Sequence, residues 1–95
     1  MHTPITEALE RRDADAARQL AEQAVAKDPG DWQAQRLLAL ALSMQGDNSA
    51  AHVHLDQAIA LAPHEAMLHV QRATLLLAEA RGGKLADIAA GAHHV

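Results

Sequence analysis

Apolar positions recur at the spacing of an α-helix through most of this chain, and proline and glycine cut the segments that carry them. The first segment starts at Thr3-Pro4, where Thr can cap, Pro suits the first helical position and Glu7 adds an acid to the first turn. Over residues 14–28, Ala17, Leu20, Ala21, Ala24 and Val25 share a face, and Pro29-Gly30 ends the helix. Asp31 is placed to cap a third helix over residues 32–45, which Gly46 stops. Asp47 to Ser49 cap a fourth, which runs to Leu61 and ends at Pro63. The spacing predicts a fifth helix over residues 65–80, stopped by Gly82-Gly83, and a sixth from Lys84 to about Val95. The third helix is apolar nearly all round, through Leu37, Leu38, Leu40, Ala41, Leu42 and Met44. Such a helix must be covered on more than one side, as the middle member of a stack is.

The chain also repeats. A shift of 34 residues lays Asp13 on Asp47, Ala16 on Ala50, Ala17 on Ala51, Gln23 on Gln57, Ala24 on Ala58, Ala26 on Ala60 and Pro29 on Pro63. Ala39 falls on Ala73 and Leu42 on Leu76 in a second, weaker comparison. The matched residues are small side chains, a turn acid and a terminating proline, which are architectural positions.

Residues 31–63 carry a full pattern: Leu38, Ala39, Leu42, Gly46-Asp47, Ala51, Leu55, Ala58 and Pro63. On these residues the chain resembles the tetratricopeptide repeat family. The resemblance implies an all-α fold, a short right-handed α-solenoid of antiparallel helical hairpins. It would be one domain over residues 1–95, with repeats at about 1–30, 31–64 and 65–95 and an irregular last helix. The first repeat departs from the pattern with Arg12-Asp13 at its turn, and the third places Arg72 where a large apolar residue belongs. Atypical end repeats are normal in such arrays.

In this family the first helix of each hairpin lines a concave groove. The resemblance assigns Gln33, Arg36, Leu40, Ser43 and Met44 to it from the second repeat, and Met67, Val70, Thr74 and Leu77 from the third. Helical spacing independently puts Arg36, Leu40 and Met44 on one stripe, and Met67, Val70, Thr74 and Leu77 on another. Such a groove is mostly apolar with one cation and suits an amphipathic helix or extended apolar peptide. The same stripes are equally well explained by cover from the chain itself, a second copy or a further domain. Some relatives grip a terminal carboxylate with Lys, Asn and Arg; here Leu37, Leu40, Met67 and Val70 stand at such places.

Composition narrows the function further. A net charge of −4, with no basic cluster beyond Arg11-Arg12, argues against nucleic acid. The absence of cysteine excludes disulfides and thiolate metal sites. The N-terminus carries no signal segment, and the longest apolar stretch, Leu37 to Leu42, is too short to span a bilayer. The expectation is a soluble cytoplasmic protein, and the excess of Arg over Lys with abundant Ala looks like GC-rich bacterial coding. One Trp and no Phe or Tyr point to thin layers of small side chains between close helices. Trp32 is expected to pack on the end of the second helix near Leu20 or Val25. Among the seven histidines, His52 with Asp56 is the one pair at i, i+4, which seldom makes a metal site; His93-His94 are adjacent near the terminus. Thr3, Thr6, Ser43, Ser49 and Thr74 sit in no nucleophile motif, so neither enzyme activity nor cofactor is expected. The last segment, with Leu85, Ile88, Ala89, Ala92 and Val95, is a poor solvating cap, which suggests a dimer through this end or a longer parent chain.

The expected function is a protein–protein interaction module with a protein or peptide partner. The alternatives are a self-associating unit, a homodimer through the groove or the C-terminal end, and a non-catalytic regulatory segment of a larger enzyme.

Overall fold

The computed structural model describes residues 2–91, with side chains over residues 2–80. Five helices follow one another: α1 (Thr3–Glu10), α2 (Ala14–Lys27), α3 (Trp32–Met44), α4 (Asn48–Leu61) and α5 (Ala66–Gly91). No strand occurs among the described residues. Each helix packs on the next, and α1 also touches α3. Connectors this short force sequence neighbours antiparallel, so α1 with α2 and α3 with α4 form stacked hairpins.

The turns repeat as the residues do. Asp13 and Asp47 each accept a hydrogen bond from the amide three residues on, Ala16 and Ala50, both at 3.2 Å. Before each cap the chain closes in the same way. The Asp13 amide donates to the Ala8 carbonyl at 2.8 Å, and the Asp47 amide to Leu42 at 2.9 Å. These six-to-one bonds belong to a Schellman motif, which needs a left-handed residue just before them. Gly46 supplies it with φ 87°, and Arg12 supplies it with φ 62°. Asp31 caps α3 by accepting from the Gln33 and Ala34 amides.

Two expectations at the helix ends are corrected. Thr3 does not cap α1: the N-cap is His2, with no side-chain cap bond, and Thr3 and Pro4 lie inside the first turn. Proline fixes a helical φ and needs no amide partner there, so the helix begins ahead of it. Glu7 falls beyond that turn. Nor does Gly82-Gly83 stop the fifth helix, which continues to Gly91. Glycine weakens a helix by about 1 kcal/mol relative to alanine but lacks the steric block of proline. The separate sixth helix over residues 84–91 is therefore not formed, and residues 92–95 lie outside the described residues.

The core follows the α3–α4 seam. Leu38, Ala39 and Leu42 from α3 meet Ala51, Leu55 and Ala58 from α4, all buried. Leu68 and Leu75 of α5 join the same cluster, and half-buried Trp32, Leu20 and Val25 each pack against it. A smaller cluster joins Ala8, Ala17 and Ala41, one each from α1, α2 and α3. The buried Gln35 is satisfied: its amide donates to the Pro29 carbonyl at 3.1 Å and its oxygen accepts from His54 Nδ1 at 2.8 Å.

Candidate functional site

α1 and α3 lie side by side and leave a cavity of about 540 Å³ between them. Thr6, Leu9 and Glu10 of α1 form one wall, Arg36, Leu40 and Met44 of α3 the other, with Arg12 from the turn at one end. Thus Arg36, Leu40 and Met44 share one cavity. Gln33 is exposed one turn earlier on α3 and lies outside it. Met67, Val70, Thr74 and Leu77 are exposed along α5 and also lie outside it. The α1 wall was missed from sequence. The 34-residue shift carried the signal, since moving Leu40 and Met44 back by one repeat lands on Thr6 and Glu10.

α5 meets α3 through polar atoms. Gln71 Nε2 donates to the Arg36 carbonyl at 3.1 Å, and Arg36 Nη1 donates to Gln71 Oε1 at 3.5 Å. The Arg36 guanidinium is half-buried, and its Nε is enclosed without a hydrogen-bond partner. Loss of hydration pulls its pKa below the ordinary arginine value, though the group stays charged at neutral pH. The hydroxyls along this side are spent on their own helices: Thr6 donates to the His2 carbonyl, Ser43 to Leu40 and Thr74 to Val70.

A second cavity of about 610 Å³ opens at the start of the stack, with Ile5, Leu20 and Ala24 as its floor. At its mouth His2 Nε2 donates to Asp31 Oδ2 at 2.8 Å. On α5, Val70, Leu76 and Leu77 are each more than half exposed, and Met67 nearly so.

His2, His52, His54 and His69 are engaged by the protein. His52 Nε2 meets Glu79 at 2.6 Å, His54 meets Gln35, and His69 donates to the Pro63 carbonyl. Asp56 pairs with Arg72 and not with His52. No three His, Asp or Glu side chains converge among the described residues, and His93-His94 lie outside them. No helix among the described residues is long and apolar enough to cross a membrane.

A family model for the tetratricopeptide repeat matches residues 8–72. No curated protein and no solved structure matches the chain.

Proposed function

The chain belongs to the tetratricopeptide repeat family, and from that premise we propose that it binds a peptide or helix of another protein in its mostly apolar groove. Repeats of this family generally mediate protein–protein interactions and are typically non-catalytic. The observation that carries the reading to this face is the cavity between α1 and α3, with Leu9, Leu40 and Met44 around a single half-buried cation, Arg36. Met67, Val70, Thr74 and Leu77 extend the same side onto α5, one repeat on from Gln33, Arg36, Leu40 and Ser43. Binding is by mass action, with no reaction. The test is a selection of random peptides against the wild-type protein, followed by binding to Arg36→Glu with Leu40→Glu. Binding should be abolished while the far-UV helical signal is retained. Peptides that bind the double variant unchanged would place the site elsewhere.

A second reading, self-association, is favoured by one observation. Ala39 and Leu42 are buried beneath α4, but their counterparts one repeat later, Ala73 and Leu76, are exposed on α5. That face lies about a quarter turn around the helix from the groove side, at roughly 100° per residue. A second copy can therefore cover it while the groove stays free.

A further inference from the structure

Among the described residues Arg36 is a cation without an anion: no ion pair includes it. Its Nε is enclosed and unpartnered, and its Nη1 reaches only the neutral Gln71 amide. A guanidinium that has lost hydration without gaining a carboxylate is held at a cost, which an incoming carboxylate offsets. The neighbouring hydroxyls offer no competing anchor, because Thr6, Ser43 and Thr74 already donate to carbonyls of their own helices. Gln71 ties the α3 backbone at Arg36 to α5, so the guanidinium is presented from a braced position.

We propose that the groove recognises an internal acidic side chain of an amphipathic helix, with the Asp or Glu carboxylate seated on the Arg36 guanidinium. This deepens the groove reading and rests on it. A guanidinium offers paired N–H donors that match a carboxylate. The acid is internal because apolar side chains are offered on two helices that meet at Arg36: Leu40 and Met44 line the cavity along α3, and Met67 and Val70 are exposed on α5, whose Gln71 bonds Arg36. A ligand chain that continues past Arg36 covers the apolar residues of both helices, whereas a chain terminus at Arg36 leaves one set bare. Glu10 and Arg12 line the same cavity farther along. Arg12 is exposed and hydrated, which leaves half-buried Arg36 as the stronger anchor, and Glu10 disfavours a run of acids. The fitting ligand carries one Asp or Glu flanked at helical spacing by large apolar residues.

The test displays random 16-residue peptides on wild type, Arg36→Gln and Arg36→Glu proteins, each first shown to keep its helical far-UV signal. Wild type should enrich an internal acid between apolar residues. In a synthetic copy of the leading peptide, changing the acid to its amide should weaken binding at least about tenfold. Arg36→Gln should weaken binding of the parent peptide by a similar factor, and the two changes together should do little more than either alone. Arg36→Glu should instead enrich Lys or Arg at the same place. Peptides that lose binding on Leu40→Glu yet tolerate removal of their acid would overturn this proposal and leave the groove reading standing. Binding lost on amidation of the peptide C-terminus would overturn the internal assignment. Enriched peptides indifferent to Arg36→Glu with Leu40→Glu, or no enrichment at all, would overturn the groove reading and this proposal with it.

Discussion

Arg12 and Gly46 occupy equivalent turns, and both adopt the left-handed backbone that the turn requires. For an L-residue with a Cβ that conformation costs about 1–2 kcal/mol, and glycine avoids it. No atom lies within 4 Å of a Cβ built on Gly46, so the penalty there is conformational and not steric. Gly46→Ala should therefore lower stability by about 1 kcal/mol, and Arg12→Gly should raise it by up to about 1 kcal/mol, offset partly by the freer unfolded chain. Urea midpoints at constant slope measure both; opposite signs are the required outcome. Asp31 carries the second residue-scale prediction. Burial raises its carboxyl, but the His2 hydrogen bond, the Ala34 amide, the charge of His2 and the Gln33 amide together hold it below the ordinary carboxylate range. A depressed folded value means that the ionised form stabilises the fold. That contribution is fully present above the ordinary unfolded value near 4 and is lost as pH falls through the lower folded one. Asp31→Asn keeps a capping oxygen but cannot ionise, so its stability should fall less steeply than wild type below about pH 4. Asp31→Ala should cost about 1 kcal/mol at pH 7. Equal acid slopes for wild type and Asp31→Asn, read by urea denaturation from pH 7 to pH 3, would remove Asp31 from the account.

The elements themselves were largely legible, because their punctuation is local. Asp13, Asp31 and Asp47 start helices, and Gly46, Pro29 and Pro63 end them, each through its own backbone or side-chain chemistry. What could not be read were contacts between elements. His54 with Gln35, His52 with Glu79 and Gln71 with Arg36 join different helices, and no spacing rule predicts them. The end of α5 was misread because Gly82-Gly83 permits a turn without requiring one. If α5 runs through these glycines, Gly82→Ala with Gly83→Ala should increase the far-UV helical signal, since alanine is the better helix former. A decrease would mean that the pair turns the chain. Packing tolerance also differs between elements. Ala8, Ala17 and Ala41 join α1, α2 and α3 through three alanines, whereas one repeat on the same places hold Leu42, Ala51 and Leu75. The α3–α4 seam has no room to spare, so Ala58→Leu should cost about 1–3 kcal/mol by overpacking. Ala73 is exposed on α5, and Ala73→Leu at high dilution should stay within about 0.5 kcal/mol of wild type. Thermal or urea denaturation of the two variants side by side tests the contrast.

At the scale of the whole molecule, the stack is unequal at its two sides. α3 is buried against α2 and α4, which is why an all-round apolar helix is stable there. Among the described residues, α5 is covered only on the side that faces the preceding hairpin: Leu68 and Leu75 are buried, Gln71 meets α3, and Arg72 and Glu79 pair with α4. The stripe that α3 gives to its hairpin partner through Ala39 and Leu42 is repeated in α5 as Ala73 and Leu76, without such a partner among the described residues. Side chains with that spacing pack a helix closely, as the α3–α4 seam does. Two copies can apply α5 to α5 with Ala73 at the crossing and Leu76 on either side, an isologous contact. The solution mass should then rise from monomer towards dimer over a hundredfold increase in concentration. Leu76→Glu should hold the protein monomeric at every concentration, while the charge-changing Arg36→Glu on the groove side should leave the mass curve unaltered. A wild-type mass that stays monomeric throughout would remove the second copy from the α5 face and leave peptide capture in the groove as the reading to pursue. If Arg36→Glu abolishes the dimer and Leu76→Glu does not, the groove itself is the contact between copies, and its occupant is another molecule of this chain.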